Sequence, residues 1–285
     1  MYLELQRPDQ APAAAPEPVS PAPAQARLPD IMGILNVTPD SFSDGGHHVE
    51  ADRAIARAQE LIRDGAAILD VGAESSRPGS RPIAEDEQIR RLTPVLRALS
   101  ASPVAISVDT RSARVMAHAH GSGARILNDV SALRDDPDLA ALAARLDLTV
   151  ILSHGIAGFR HDAPEAFSIK ELSEHFAERI GFCRARGIAR NRIWIDPGIG
   201  FGKAYAGNVE VLAQLGALTR MGHPVVVGLS RKLSAPDATP EVQLATSIGG
   251  AIIAAAAGAA VIRVHDVAPT RAALRLWGRC RDAAA

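Results

Sequence analysis

The chain has 285 residues, a formal net charge of −1, and 47% hydrophobic against 22% charged side chains. That composition excludes disorder over most of the length, and near-zero charge with 4% aromatics excludes a global basic field or a base-stacking platform for nucleic acid. The length suits one domain of α/β-barrel size, and two cysteines, Cys183 and Cys280, are too few for a disulfide framework or a zinc site, so a reducing, cytoplasmic setting is expected.

Residues 1–30 mix alanine with Pro8, Pro12, Pro16, Pro18, Pro21, Pro23 and Pro29. Proline lacks the amide donor and alanine has little to bury, so a flexible tail is predicted there, ahead of a domain over 31–285. Glu4 and the prolines stand where a secretory signal would need a basic region and then an apolar run. The longest apolar stretch, 251–262, is roughly half the ~20 residues of a membrane helix and reads as a packed helix running into a strand.

From residue 31 a rhythm sets in. Short apolar runs at 31–35, 67–71, 104–108, 125–127, 148–152, 192–195, 224–228 and 260–264 read as strands buried on both faces. Helical periodicity lies between them, as in Ile89, Leu92, Leu96 and Leu99, with a kink expected at Pro94, or Leu172, Phe176, Ile180 and Cys183. Strand-then-helix units repeated along one chain predict a (β/α)8 TIM barrel in the α/β class, with a doubly wound open sheet as the alternative.

The runs end in polar residues. The first reaches Asn36, the second Asp70, the third Asp109, and the fourth Asn128 and Asp129. The fifth ends at His154 and the sixth at Asp196; the seventh leads to Ser230, Arg231 and Lys232, and the eighth carries Arg263 and His265. Parallel strands deliver their carboxyl ends to one mouth, where barrel enzymes do their chemistry.

Each motif also admits a plainer reading. Asn36 offers a neutral oxygen suited to Mg²⁺, or simply caps a loop. In 74–79, ESSRPG, Ser76 and Arg77 combine a hydroxyl with a guanidinium, a set that holds an anion or a ring edge. In 196–203, DPGIGFGK, Ala204 stands where a phosphate-binding loop needs Ser or Thr, and Lys203 where a dinucleotide fingerprint needs glycine. What remains is a carboxylate followed by a flexible glycine turn, able to accept two parallel hydrogen bonds from an N–C–N ring edge. Arg263 and His265, two apart on a strand, point alike and can grip phosphate oxygens, with Val264 between them, or form a salt-bridged rim. Lys232 can donate to a ring carbonyl or nitrogen.

These motifs together resemble the dihydropteroate synthase family over about residues 31–280. They are MGILNVTPDSFSDGG at 32–46, ESSRPG at 74–79, SVDT at 107–110, LNDV at 127–130, DPGIGFGK at 196–203, GLSRK at 228–232 and RVHDV at 263–267. The resemblance implies a (β/α)8 barrel that joins 4-aminobenzoate to (7,8-dihydropterin-6-yl)methyl diphosphate, releasing diphosphate. It implies Mg²⁺ on Asn36; the pterin ring on Asp109, Asn128, Asp196 and Lys232; and the diphosphate near Ser76, Arg263 and His265. It further implies an aminobenzoate pocket shaped by Phe201, Ser230 and Pro78, closure of the loops 36–46 and 74–80, and a homodimer. Departures from the family pattern are the missing Met after His154, Ser76 in place of Thr, and a shorter stretch after Lys232. A non-catalytic or altered-specificity pterin-binding paralogue is the alternative, and a corrinoid-linked methyltransferase of related fold is a further one.

Overall fold

Each apolar run that ends in a polar residue forms a strand. These are β1 (Asp30–Asn36), β2 (Ile68–Gly72), β3 (Ala105–Asp109), β4 (Ile126–Asp129), β5 (Thr149–Ser153), β6 (Ile193–Asp196), β7 (Val226–Gly228) and β8 (Val261–Val264). Between and after them lie α1 (His47–Asp64), α2 (Glu85–Leu99), α3 (Ala113–Gly121), α4 (Leu139–Arg145), α5 (Ile169–Ala185), α6 (Tyr205–Ala213), α7 (Gly216–Thr219), α8 (Pro240–Ala256) and α9 (Val267–Ala283). This computed structural model describes residues 27–37, 47–74, 83–155, 168–235 and 237–284. Most of the predicted tail, and most of both loops expected to close over the mouth, lie outside the described residues.

All neighbouring strands pair in parallel, in the order β6-β5-β4-β3-β2-β1-β8-β7. The two ends of that order meet. Ile195 bridges to Val225, and the Ile195 N–H donates to the Pro224 carbonyl at 3.0 Å. The sheet is therefore a barrel and not the open doubly wound alternative. The stretch 251–262 is the end of α8 running into β8, and α2 continues across Pro94, with Leu92, Val95 and Leu96 buried around it. Among the described residues no helix is long and apolar enough to cross a membrane.

Strand side chains alternate between faces. Every strand sends one side chain to a small apolar cluster: Met32, Ile68, Ile126, Ile151, Trp194, Val226 and Val261, with Ala105 against them. This plug is separate from the main core, which fills the space between strands and helices. Two residues further along each strand, on the same face, stand Ile34, Asp70, Ser107, Asn128, Ser153, Asp196, Gly228 and Arg263. The next step reaches Asn36, Asp109, Gly198, Ser230 and His265. The barrel is thus sealed by hydrocarbon below and lined by polar groups towards its carboxyl mouth.

Candidate active site

Asp70 stands at the centre of the polar layer and is buried. The Ser107 hydroxyl donates to its Oδ1 at 2.6 Å, and the Asn128 amide and Arg263 Nε donate to its Oδ2 at 3.0 and 2.6 Å. The Arg263 guanidinium also reaches Asp109 Oδ2 at 3.1 Å. Burial, with Asp70 nearby, pushes the Asp109 carboxyl up to about 7, against the pull of Arg263. The sequence places Asp70 among the polar strand ends, but the binding roles expected from it fall on Asp109, Asn128 and Arg263, and Ser107 is given none. The available signal was an acidic residue inside an apolar strand covered on both faces, which has to be paired.

Asp196 lies across the mouth, with burial raising its carboxyl above the usual range. Its Oδ1 accepts from the Gly198 N–H at 2.8 Å. A methyl group added at Gly228 would lie 3.4 Å from Lys232 Nζ and 3.9 Å from Asp196 Oδ2, so lysine and carboxylate face one space kept open by glycine. Lys232 Nζ also sits 4.0 Å above the Phe201 ring centre. Burial is the main reason its ammonium falls to about 7.

The glycine turn after Asp196, expected to be flexible, is instead tied down. Gly198, Gly200 and Gly202 all have positive φ, and a Cβ at Gly198 would lie 2.0 Å from the His154 carbonyl oxygen. Lys203 Nζ donates to the carbonyls of Gly198 and His154 at 2.9 and 3.2 Å. The Asn208 amide oxygen accepts from the Gly200 N–H at 2.8 Å. The motif's lysine is therefore an anchor inside the protein, holding Phe201 near Lys232. Its side chain reaches backbone carbonyls of two loops, a connection that spacing along the chain does not reveal.

On the rim, His265 Nδ1 lies 2.8 Å from Ser230 Oγ, and the Arg57 guanidinium donates to the His265 carbonyl at 2.7 Å. Ser230 and His265, expected at different subsites, are thus one unit joining β7 and β8. Two expectations change. Arg263 lies one layer below His265, with its guanidinium on Asp70 and Asp109, so it is held among these carboxylates and does not share the rim with His265 as a phosphate grip would need. Val264 points the other way, into the main core, because neighbouring strand residues face opposite sides. Asn36 is exposed at the end of β1, where it pairs in register with Gly72. Ser76, Arg77 and Pro78 lie outside the described residues. The shorter stretch after Lys232 still packs: Leu233 is buried, and the Thr239 hydroxyl accepts from the Val242 N–H to cap α8.

A histidine pair lies beside this site. The His154 and His175 rings meet edge-on, with centroids 4.8 Å apart. Burial is the leading cause that lowers His154 to about 3 and His175 to about 4. The unfolded chain therefore binds these protons first as pH falls. Stability carried by the pair is complete above about 6.5 and drains away towards pH 4 and below. The melting temperature should fall over that window, and His175→Phe, which keeps a ring against His154 and Phe176, should flatten the slope. An unchanged slope would remove the pair as its source.

A barrel whose mouth gathers carboxylates, an amide and a lysine has the form of a small-molecule enzyme with a polar site, and comparison with known proteins says which. The family model described as "Pterin binding enzyme" matches residues 32–265. Dihydropteroate synthase of Escherichia coli K12 is 40% identical over 255 residues, 87% of this chain and 90% of that one. A probable bifunctional folylpolyglutamate synthase/dihydropteroate synthase of Haloferax volcanii is also 40% identical, over 88% of this chain; the match spans 30% of that longer protein. Among solved structures, Xanthomonas albilineans dihydropteroate synthase with 4-aminobenzoic acid superposes with a TM-score of 0.82 at 42% identity, covering 89% of this chain and 93% of that one. Yersinia pestis dihydropteroate synthase in a sulfonamide drug complex gives 0.83 at 38% identity, covering 90% and 95%. The chain belongs to the pterin-binding enzymes, in their dihydropteroate synthase family.

Proposed function

We infer that the chain condenses (7,8-dihydropterin-6-yl)methyl diphosphate with 4-aminobenzoate, giving 7,8-dihydropteroate and diphosphate, as a transferase of folate biosynthesis. The observation that carries this reading is the acceptor set at the mouth: Asp109, the unpartnered Oδ1 of Asn128, and Asp196 facing Lys232 across Gly228. Such a set suits the N–H-rich edge of a pterin, and the buried carboxylates favour the positive charge that spreads over the ring as diphosphate leaves.

The aniline nitrogen attacks the pterin methylene carbon. The carbon–oxygen bond to diphosphate breaks with its electron pair going to oxygen, and the nitrogen then loses a proton. A neutral aniline is nucleophilic once positioned, so the protein's task is alignment and stabilisation of charge. Phe201 and the Ser230–His265 unit would border the space for aminobenzoate, and His265 is the described side chain at the rim that would meet the diphosphate. Ser76 and Arg77 would join it from their loop.

Magnesium fits this rim in one way. Asn36 supplies a single neutral oxygen, and among the described residues no cluster of His, Cys, Asp or Glu could hold a metal alone. The ion would be held jointly by Asn36 and the substrate's diphosphate oxygens, and would neutralise charge on the leaving group. A cytoplasmic setting belongs to the same proposal, supported by the buried Cys183 and exposed Cys280, both free thiols. So does a homodimer, for which Val242 and Ile253, exposed on α8, offer apolar surface.

Purified protein with both substrates and Mg²⁺ should release diphosphate and form dihydropteroate. Omitting 4-aminobenzoate or the metal should stop product formation. Pterin binding without turnover under saturating conditions would favour the non-catalytic paralogue.

A further inference from the structure

Asp70 takes no part in the reaction as derived above, yet it lies at the centre of the residues that do. Ser107 Oγ, Asn128 Nδ2 and Arg263 Nε all donate to it. A carboxylate only accepts, and an amide has one donating and one accepting end. Facing Asp70, Asn128 must turn its NH2 inwards, which leaves its carbonyl oxygen, Oδ1, on the opposite side. That oxygen is buried without a hydrogen-bond partner. A buried acceptor left open is a site for a donor brought by a ligand. The same carboxylate holds the Arg263 Nε, so the guanidinium reaches Asp109 from a fixed position.

We propose that Asp70 is a positioning residue that sets the polarity of the ring cavity: it turns Asn128 so that Oδ1 demands a ring N–H from the ligand. This rests on the function proposed above and deepens it, since it specifies a heterocycle that presents a donor, not a bare ring nitrogen, at that point. A neutral Asp70→Asn side chain offers both a donor and an acceptor, so the Asn128 amide is free to flip.

The test is equilibrium titration with (7,8-dihydropterin-6-yl)methyl diphosphate, alongside steady-state kinetics, on the wild type, Asp70→Asn, Asn128→Leu and the double variant. Asp70→Asn should weaken pterin binding about 10-fold or more, the scale of a lost charge-assisted hydrogen bond. The KM for 4-aminobenzoate at saturating pterin should stay unchanged. In the Asn128→Leu background, where no amide remains to be turned, the loss should shrink to about threefold, the measure of coupling between touching residues. Equal losses in both backgrounds, or a rise in both KM values, would make Asp70 a packing residue and overturn the proposal. Should Asp70→Asn fail to fold, Asn128→Leu alone decides instead, because it removes the acceptor that Asp70 is said to orient. About 10-fold weaker pterin binding is then expected, and wild-type affinity overturns the idea. A wild type that binds no pterin at all strikes the functional reading first, and this inference with it.

Discussion

Replacing Asp196 by asparagine is expected to weaken binding of the pterin substrate by about 100-fold while leaving the barrel folded. The substitution keeps an oxygen for the Gly198 N–H, which now reaches Asp196 Oδ1 at 2.8 Å, so the turn that follows need not move. What changes is the other oxygen, which faces Gly228 and the space beside Lys232. There a carboxylate would accept two parallel hydrogen bonds from an N–C–N edge, whereas an amide turns a donor towards donors. Hydrogen bonds to a charged partner are each worth roughly 1.5–3 kcal/mol, so about 3 kcal/mol, or two orders of magnitude in affinity, is at stake. Calorimetric titration measures this directly. Unaltered affinity in a folded variant would refute the role given to this carboxylate.

The second large effect falls on stability as well as activity. Arg263→Met should destabilise the protein by about 3–5 kcal/mol, because it leaves the buried Asp70 and the partly buried Asp109 without their shared cation. Arg263 joins both carboxylates, at 2.6 and 3.1 Å, and is itself buried. Methionine nearly matches the volume, so the loss reflects charge and not an empty cavity. For a domain of this size the melting temperature should drop by roughly 6–20 °C. The loss should be smaller in acid, where Asp109, already pushed up to about 7 by burial and by Asp70, takes up a proton more readily. Thermal unfolding at two pH values tests both statements, and an equal loss at each would show that charge is not the cause.

Much of this fold could be read from the chain. Each apolar run became a strand within a residue or two of its expected bounds, because strands buried on both faces leave few places for polar side chains. The mouth residues Asp109, Asn128, Asp196 and Lys232 were readable for the same reason, as polar ends of apolar runs. The interior of the barrel was less visible. Trp194 looked like one more strand residue, yet it helps to seal the barrel floor. Asp70 lies in the middle of β2, and its importance arises from Arg263, distant in sequence but adjacent once the barrel closes. Val264 shows the converse: proximity in sequence to Arg263 and His265 suggested a role that the two-residue alternation of a strand rules out. Lys203 was legible as part of a motif but not as an anchor, since its bonds go to main-chain carbonyls, which carry no sequence signature.

The barrel wall is joined unevenly. Between β6 and β7 it is held by the Ile195–Val225 bridge and the bond from Ile195 to Pro224, where other neighbouring strands share longer ladders. Asp196 stands on one side of that seam, and Gly228 and Lys232 on the other. A heterocycle gripped from both sides would therefore act as a rivet across the thinnest joint of the cylinder, so that occupancy and mechanical integrity of the wall rise together.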